Sequence, residues 1–145
     1  MKLFRGIAPV VGTIALMACT QAAAATLEVF KSPYCGCCSK WVEHVRAAGF
    51  TVKVTEVEDM ATFGSQFGVP EHLRSCHTAK AGKYVVEGHV PAADIKRLLK
   101  EKPDAIGIAV AGMPAGSPGM DQGPEKEPYK TILVTTKGER VFAAH

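Results

Sequence analysis

Three cysteines fall within four consecutive positions of the segment SPYCGCCSKW, at Cys35, Cys37 and Cys38. A disulfide uses two thiols, and a bond between the neighbours Cys37 and Cys38 is strained, so this segment holds more sulfur than one covalent bridge can use. Three thiolates within one turn suit a soft ion such as Cu(I) or Zn(II), and bridging thiolates suit a cluster of Cu(I) ions. The residue types and their spacing therefore predict a metal site.

Cys35 and Cys38 also form a C-x-x-C pair between a strand pattern and a helix pattern, which is typical of thioredoxin-like redox sites. The free N–H groups and the positive end of the helix dipole favour a thiolate there. Two other functions stay open: a thiol-disulfide oxidoreductase in which Cys35 attacks and Cys38 resolves, and a small zinc-stabilised interaction module. The plainest alternative is a structural disulfide between Cys35 and Cys38.

Further soft ligands lie elsewhere in the chain. Cys76 completes a set of four sulfurs if the fold returns it to the helix start, and His77 stands beside it. Met113 and Met120 lie in a Gly/Pro-rich segment, where they are candidates for copper ligands or copper entry, or simply fill gaps in the core. This soft donor set favours Cu(I), with zinc the weaker alternative.

The remaining histidines are weaker candidates. His44 follows Cys37 by seven residues, about 10 Å along a helix, so it could serve a second ion of a cluster or act structurally near the helix end. His72 and His89 are expected to face solvent or to hydrogen-bond in turns. His145, the last residue, would be ordered only if it is tied down.

The first residues predict export. Lys2 and Arg5 precede an apolar run that ends in small residues, which is the pattern of a secretory signal peptide over 1–25. The mature chain would be one domain over 26–145, without a transmembrane helix. Lipidation at Cys19, which would anchor the protein as a lipoprotein, is the alternative. Outside the cytosol, unpaired cysteines persist as disulfides or metal thiolates.

The charge balance excludes two classes of partner. The formal charge of +3 falls to +1 when Lys2 and Arg5 leave with the signal peptide, and the remaining chain has no basic run. Such a chain has no electrostatic reason to bind nucleic acid or an anionic membrane.

Strand and helix patterns alternate along the chain, which predicts an α/β sandwich with a small mixed sheet flanked by helices. The segment 112–128 is long for a loop and is therefore expected to be functional or disordered. A C-terminal hairpin turns at Lys137-Gly138. The expected strands are 26–32, 50–58, 83–90 and 105–114; the expected helices are 37–49, a short helix or turn at 60–68, a helix from Pro70 with Cys76 near its end, and 91–102.

The segments YCGCCSKWVEH, SCHTAKAGKYVVEGHVPAADIKRLL and AVAGMPAGSPGM resemble the CopG-type periplasmic copper-resistance proteins of Gram-negative bacteria. The resemblance covers nearly all of residues 27–145. It implies a thioredoxin-like fold that holds copper at Cys35, Cys37, Cys38 and Cys76, as a multinuclear Cu(I) site with a part in copper redox balance. It also implies a periplasmic location and, as partners, copper ions and other copper-handling proteins of the cell envelope.

Overall fold

The structure, a computed structural model, describes residues 24–121 and 123–145. Residues 1–23 of the expected signal peptide, and with them Cys19, lie outside the described residues. No helix in the described part of the chain is long and apolar enough to cross a bilayer.

Seven strands of the described residues form one mixed sheet. In chain order they are β1 (Thr26–Lys31), β2 (Thr51–Glu56), β3 (His77–Ala81), β4 (Tyr84–Glu87), β5 (Gly107–Ala109), β6 (Lys130–Thr135) and β7 (Gly138–Ala144). Their order across the sheet is β2-β1-β3-β4-β5-β6-β7. β1 and β2 run parallel, as do β4 and β5, and the other neighbours run antiparallel. The predicted α/β class is confirmed, including the small mixed sheet and the C-terminal hairpin.

The helices are α1 (Gly36–Ala47), α2 (Met60–Gly64) and α3 (Ala92–Glu101), with short 3-10 turns at Ser65–Phe67 and Glu71–Leu73. Helix α1 connects the parallel strands β1 and β2, and its inner face packs Trp41 and Val45 into the main core. Trp41 is fully buried, and its indole N–H donates to the carbonyl oxygen of Val90 over 2.8 Å. The first half of α1, which carries the cysteines, is thereby anchored in the core.

The helix predicted to run from Pro70 to Cys76 is wrong. Only a 3-10 turn forms there, and the chain then extends into β3, so that Cys76 immediately precedes a strand. β3 lies between β1 and β4, and four of its five residues are buried. A strand buried on both faces shows no alternation of polar and apolar residues. The pattern that identifies a strand was therefore missing from the sequence of β3.

Hydrogen bonds hold the C-terminal residue, His145, in place. The backbones of His145 and Tyr129 exchange two hydrogen bonds, and the Nε2 atom of His145 lies 2.9 Å from a carboxylate oxygen of Asp94. Asp94 also accepts a hydrogen bond of 2.6 Å from the Thr131 hydroxyl. His145 is thus tied down through both its backbone and its side chain, as an ordered terminal residue requires.

The Gly/Pro-rich segment 112–128 contains no helix or strand in its described residues, yet part of it is buried. Ser117, Pro118 and Gly119 are buried, and Gly119 lies against the start of α1. Gly119 has a φ of +88°, and a Cβ atom at this position would lie 2.7 Å from the Cys37 carbonyl oxygen and 2.9 Å from the Trp41 nitrogen. Glycine is needed because both the left-handed backbone and the close approach exclude a side chain.

Candidate metal centre

The cysteine loop lies where β1 ends and α1 begins. Cys35 is the N-cap residue of α1, and its sulfur lies 3.4 Å from the backbone nitrogen of Cys38. Cys37 and Cys38 follow in the first turn, which carries no acidic side chain. The free N–H groups and the dipole of this turn stabilise negative charge on sulfur.

Four sulfur atoms meet at this turn. Cys35 and Cys38 are joined by a disulfide, and Cys37 and Cys76 are free thiols. The Cys37 sulfur lies 3.3 Å from that of Cys35, and the Cys76 sulfur lies 3.1 Å from that of Cys38. All four lie within 4.8 Å of one another, a spacing that can hold a metal ion. Four thiolates at Cys35, Cys37, Cys38 and Cys76 require that the disulfide first take up two electrons.

Cys76 reaches this position because Glu87 and Gly88 hold the turn that precedes β3. One carboxylate oxygen of Glu87 accepts a 2.7 Å hydrogen bond from the Ser75 backbone nitrogen, and the other accepts one of 2.7 Å from the Thr78 hydroxyl. Gly88 has a φ of +72° and lies so close that a Cβ atom would be 2.9 Å from that of Ser75. Glu87 thus binds the chain on both sides of Cys76.

Two buried imidazoles contact Cys76 on its other side. The Cys76 sulfur lies 3.6 Å from Nδ1 of His77 and 3.6 Å from Nε2 of His89. Both histidines are fully buried, and their rings meet edge to face at 5.1 Å. The expectation that His89 faces solvent is wrong, although its Nδ1 does hydrogen-bond, to the carbonyl oxygen of Pro118 over 2.8 Å.

Burial sets the protonation of these groups in the metal-free protein. It raises the pKa of the Cys76 thiol to about 11, with a further contribution from the nearby Cys37. It lowers the pKa of His77 to about 3 and also lowers that of His89. Neutral imidazoles are the form that binds metal, whereas the thiol must lose its proton to a bound ion.

The two methionines lie to one side of the cluster. The Met113 sulfur lies 4.0 Å from the Cys37 sulfur, and the Met113 side chain is about half exposed. Met113 and Met120 both line an open cavity of about 460 Å³, together with Glu125 and Glu127. Met113 therefore adjoins the sulfur cluster, and Met120 shares the cavity with it.

His44 does not join the cluster. Its Nε2 atom accepts a 3.1 Å hydrogen bond from the backbone nitrogen of Ala92, in the first turn of α3. Pro91, the N-cap residue of α3, makes no side-chain cap. His44 thus supplies the missing cap from another helix, and burial lowers its pKa, which favours the neutral ring that accepts this bond.

His89 was not predicted at the site, although the sequence contains a signal for it. β3 and β4 form a hairpin in which Ala81 pairs with Tyr84 and Thr78 pairs with Glu87. Extending this register by two residues places Cys76 opposite His89. Gly82, with a φ of +60°, marks the turn of that hairpin.

A thioredoxin-like domain that gathers free thiols and neutral imidazoles at the start of its first helix defines a class of metal- or thiol-handling proteins. The donor set contains sulfur and nitrogen and no carboxylate, which fits a soft or borderline ion better than magnesium or calcium.

Comparisons with known proteins agree with this class. Residues 73–120 match a family model described as "Protein of unknown function, DUF411". Two solved structures, named "Copper resistance protein copG- Form 2" and "Copper resistance protein copG- Form 1", superpose with TM-scores of 0.80 and 0.79. Each is 41% identical and covers 84% of this chain and 98% of its own. A search of the curated proteins finds no match. The chain belongs to the CopG copper resistance protein family.

Proposed function

We propose that this protein is an exported copper-binding protein that holds Cu(I) at Cys35, Cys37, Cys38 and Cys76. It would act in the periplasm in copper resistance or copper redox balance, alongside other copper-handling proteins of the envelope. The observation that carries the proposal is the convergence of four sulfur atoms within 4.8 Å of one another. The names of the two related structures support copper as the ion.

The chemistry of the cluster supports Cu(I) in particular. Thiolates and thioethers select Cu(I), and thiolates can bridge several Cu(I) ions, so the site suits one ion or a small cluster. Met113, with its sulfur 4.0 Å from that of Cys37, and His77 are the assisting ligands nearest the cysteines. Zinc, which also accepts cysteine ligands, is the weaker alternative.

The same site can exchange electrons with copper. If Cys35 and Cys38 start as thiolates, closing the disulfide releases two electrons, which reduce two Cu(II) ions to two Cu(I) ions. In the reverse reaction two Cu(I) ions give up one electron each to open the disulfide, which restores both thiolates and yields two Cu(II) ions. Copper is then the substrate, and its change of oxidation state would limit copper damage in the envelope.

One observation favours a second function. The disulfide between Cys35 and Cys38 occupies the C-x-x-C position of thiol-disulfide oxidoreductases. A protein of that kind would use Cys35 as the nucleophile and Cys38 as the resolving thiol, and would need neither Cys37 nor Cys76.

Cys37→Ser separates the two functions. A copper cluster that uses Cys37 should bind fewer Cu(I) ions per chain in the variant, measured by elemental analysis of the reduced protein. A dithiol catalyst should instead keep its rate of reducing a model disulfide in the variant, because that reaction needs only Cys35 and Cys38. Cys35→Ser, which removes the presumed nucleophile, is the matched control because it should abolish disulfide reduction.

A further inference from the structure

β2 (Thr51–Glu56) is one of the two edge strands of the seven-stranded sheet that the described residues form. All of its residues except Val52 are exposed, and Val54 is among the few exposed large apolar side chains in the described part of the chain. An edge strand presents a row of N–H and C=O groups with which another strand can pair. β2 therefore offers a surface to which a further strand can add.

The backbone groups of β2 that point away from the sheet belong to its even-numbered residues. The backbone nitrogens of Thr51 and Val57 donate to carbonyl oxygens on the β1 side, over 3.1 and 2.9 Å. In a parallel pair, successive residues of a strand alternate between bonding to the neighbour and pointing away from it. The N–H and C=O groups directed outward are therefore those of Val52, Val54 and Glu56.

The other edge strand, β7 (Gly138–Ala144), is protected against pairing. The β6–β7 register shifts between Thr131 and Ile132, which leaves Phe142 as an extra residue in the ladder. The Phe142 carbonyl oxygen accepts a 2.9 Å hydrogen bond from the Arg97 side chain, and the Arg97 guanidinium lies over the Phe142 ring. Bulges and covered backbone groups are means by which proteins block pairing between sheet edges.

β2 has neither of these protections. Its register with β1 is continuous over all six residues. Its sequence, TVKVTE, contains no proline and is rich in valine and threonine, which favour strands. Lys53 pairs with Glu28 of β1 on the same face of the sheet, so its charge is offset within the chain. A regular and exposed edge of this kind is open to pairing.

The order of charges along β2 suits a second copy of the same strand in the antiparallel direction. Lys53 lies in the first half of β2, whereas the acidic residues lie at its end and just beyond it, at Glu56, Glu58 and Asp59. Antiparallel pairing brings the basic half of each copy alongside the acidic end of the other, whereas parallel pairing brings like charges together. The strand with the complementary order of charges is therefore β2 itself.

The outward groups also define the register. Only residues whose backbone points outward can exchange hydrogen bonds, so even-numbered residues must lie opposite even-numbered residues. With Val54 opposite Val54, Val52 lies opposite Glu56 and all the outward groups are used. A shift in either direction leaves one outward residue with no strand residue opposite. In this register Lys53 faces Thr55, and the exposed Val54 side chains of the two copies meet at the twofold axis.

We propose that the protein forms a symmetric dimer in which the β2 strands of two copies pair antiparallel about Val54 and join their sheets into one. Because β1 and β2 run parallel, the end of β2 lies at the same end of the sheet as the cysteine loop. The two metal centres then lie on opposite sides of the twofold axis, outside the contact. A single strand pair buries less surface than a standard interface of about 1,600 Å², so the dimer is weak. Its formation does not depend on copper.

Sedimentation velocity tests the association of the purified protein from about 10 µM to about 1 mM. A reductant and a metal chelator are present, because a disulfide or a copper ion shared between copies would also produce a dimer. The weight-average mass of the wild type should rise across this range toward twice the mass of one chain. Protein that stays monomeric throughout would overturn the inference and leave the proposed copper function intact.

Two substitutions at Val54 test the contact itself. Val54→Pro removes an outward N–H and keeps the hydrogen bonds to β1, because proline is tolerated where the N–H of an edge strand faces solvent. Val54→Lys places two lysines opposite each other at the twofold axis. Each should raise the dissociation constant by at least about 10-fold, since the symmetry applies every change twice. Circular dichroism verifies folding, and Val54→Lys carries the test if the proline variant does not fold.

Val141→Lys is the matched control, because Val141 is an exposed valine of the other edge strand. It should leave the dissociation constant unchanged. In the wild type, NMR should show slower amide exchange at about 1 mM than at about 10 µM for the outward residues Val52, Val54 and Glu56. Association that both Val54 variants leave unchanged would contradict the inference. If Val141→Lys weakens that association, the copies meet at β7 instead.

Discussion

The sulfur atoms of Cys38 and Cys76 lie 3.1 Å apart, although 38 positions separate the two residues in the sequence. One belongs to the first turn of α1 and the other to the turn before β3. This contact turns a motif of three cysteines into a group of four sulfurs. The proposed copper chemistry depends on it.

Removing Cys35 should move the disulfide. In Cys35→Ser, Cys38 loses its partner, and the nearest remaining sulfur is that of Cys76. We expect mild oxidation to join Cys38 to Cys76, because thiolates exchange with sulfur atoms in contact. Peptide mapping of the oxidised variant would identify the bond. Recovery of a Cys37–Cys38 bond or of free Cys38 alone would show that Cys76 is not held against α1.

Glu87 should give the metal-free protein a distinctive dependence on pH. Burial raises the pKa of Glu87 from 4.5 to about 7, although its hydrogen bonds from Ser75 and Thr78 oppose the shift. The folded state therefore holds the proton more tightly than the unfolded chain. The stability from this group is fully present below pH 4.5 and is lost as the pH rises toward about 7.

Glu87→Gln isolates this effect because glutamine does not titrate. Relative to the variant, the wild type should lose about 3 kcal/mol of its free energy of unfolding between those two pH values, at about 1.36 kcal/mol per pKa unit. Urea denaturation at a series of pH values measures the difference, in which contributions from the histidines cancel. A difference that stays constant with pH would contradict the prediction.

Gly119→Ala should lift the Gly/Pro-rich segment from α1. The added Cβ atom would meet the Cys37 carbonyl oxygen at 2.7 Å and the Trp41 nitrogen at 2.9 Å, both of them backbone atoms that cannot move aside. Gly112→Ala is the matched control, since Gly112 also has a positive φ, +68°, but has open space around it. We expect Gly119→Ala to cost about 2 kcal/mol more in the free energy of unfolding.

The same pair of variants should differ in the chemistry of Cys37. Without the segment packed over it, the Cys37 thiol should react faster with a thiol reagent in Gly119→Ala than in Gly112→Ala. Equal labelling rates together with equal stabilities would mean that this segment does not cover the cysteine loop.

His44→Ala should destabilise the fold and spare the copper site. It leaves the Ala92 backbone nitrogen without its acceptor, and loss of a helix cap costs about 1 kcal/mol. The number of Cu(I) ions bound by reduced protein should not change, because His44 lies outside the sulfur and histidine groups. His72→Ala, at an exposed histidine, serves as the control. Loss of bound copper in His44→Ala with unchanged stability would make His44 a ligand.

The fold could be predicted where the sequence carries a local signal. Helix α3 has Pro91 at its start and Pro103 beyond its end. In β1 polar and apolar residues alternate, and the β6–β7 hairpin turns at a glycine. The positions of these elements therefore followed from the sequence pattern alone. β3 could not be predicted, because its buried faces remove the alternation and its alanines and lysine also suit a helix.

The residues of the candidate site also differ in whether a local sequence signal identifies them. The cysteine loop is a local motif, so its chemistry was visible in the sequence, and Cys76 was expected to join it. For His44 the sequence left both a ligand role and a structural role open, because its use as a helix cap depends on where α3 starts in space. His89 was missed because its contact with Cys76 depends on the β3–β4 register, which was hidden once β3 had been interpreted as a helix.

The central claim is that the four sulfurs hold copper together. The most direct test is elemental analysis, combined with counting of free thiols, of protein purified without added metal or chelator. We expect bound copper and few titratable thiols in the wild type, with less copper in both Cys37→Ser and Cys76→Ser. Metal-free protein that contains one or two disulfides and takes up no Cu(I) after reduction would contradict it.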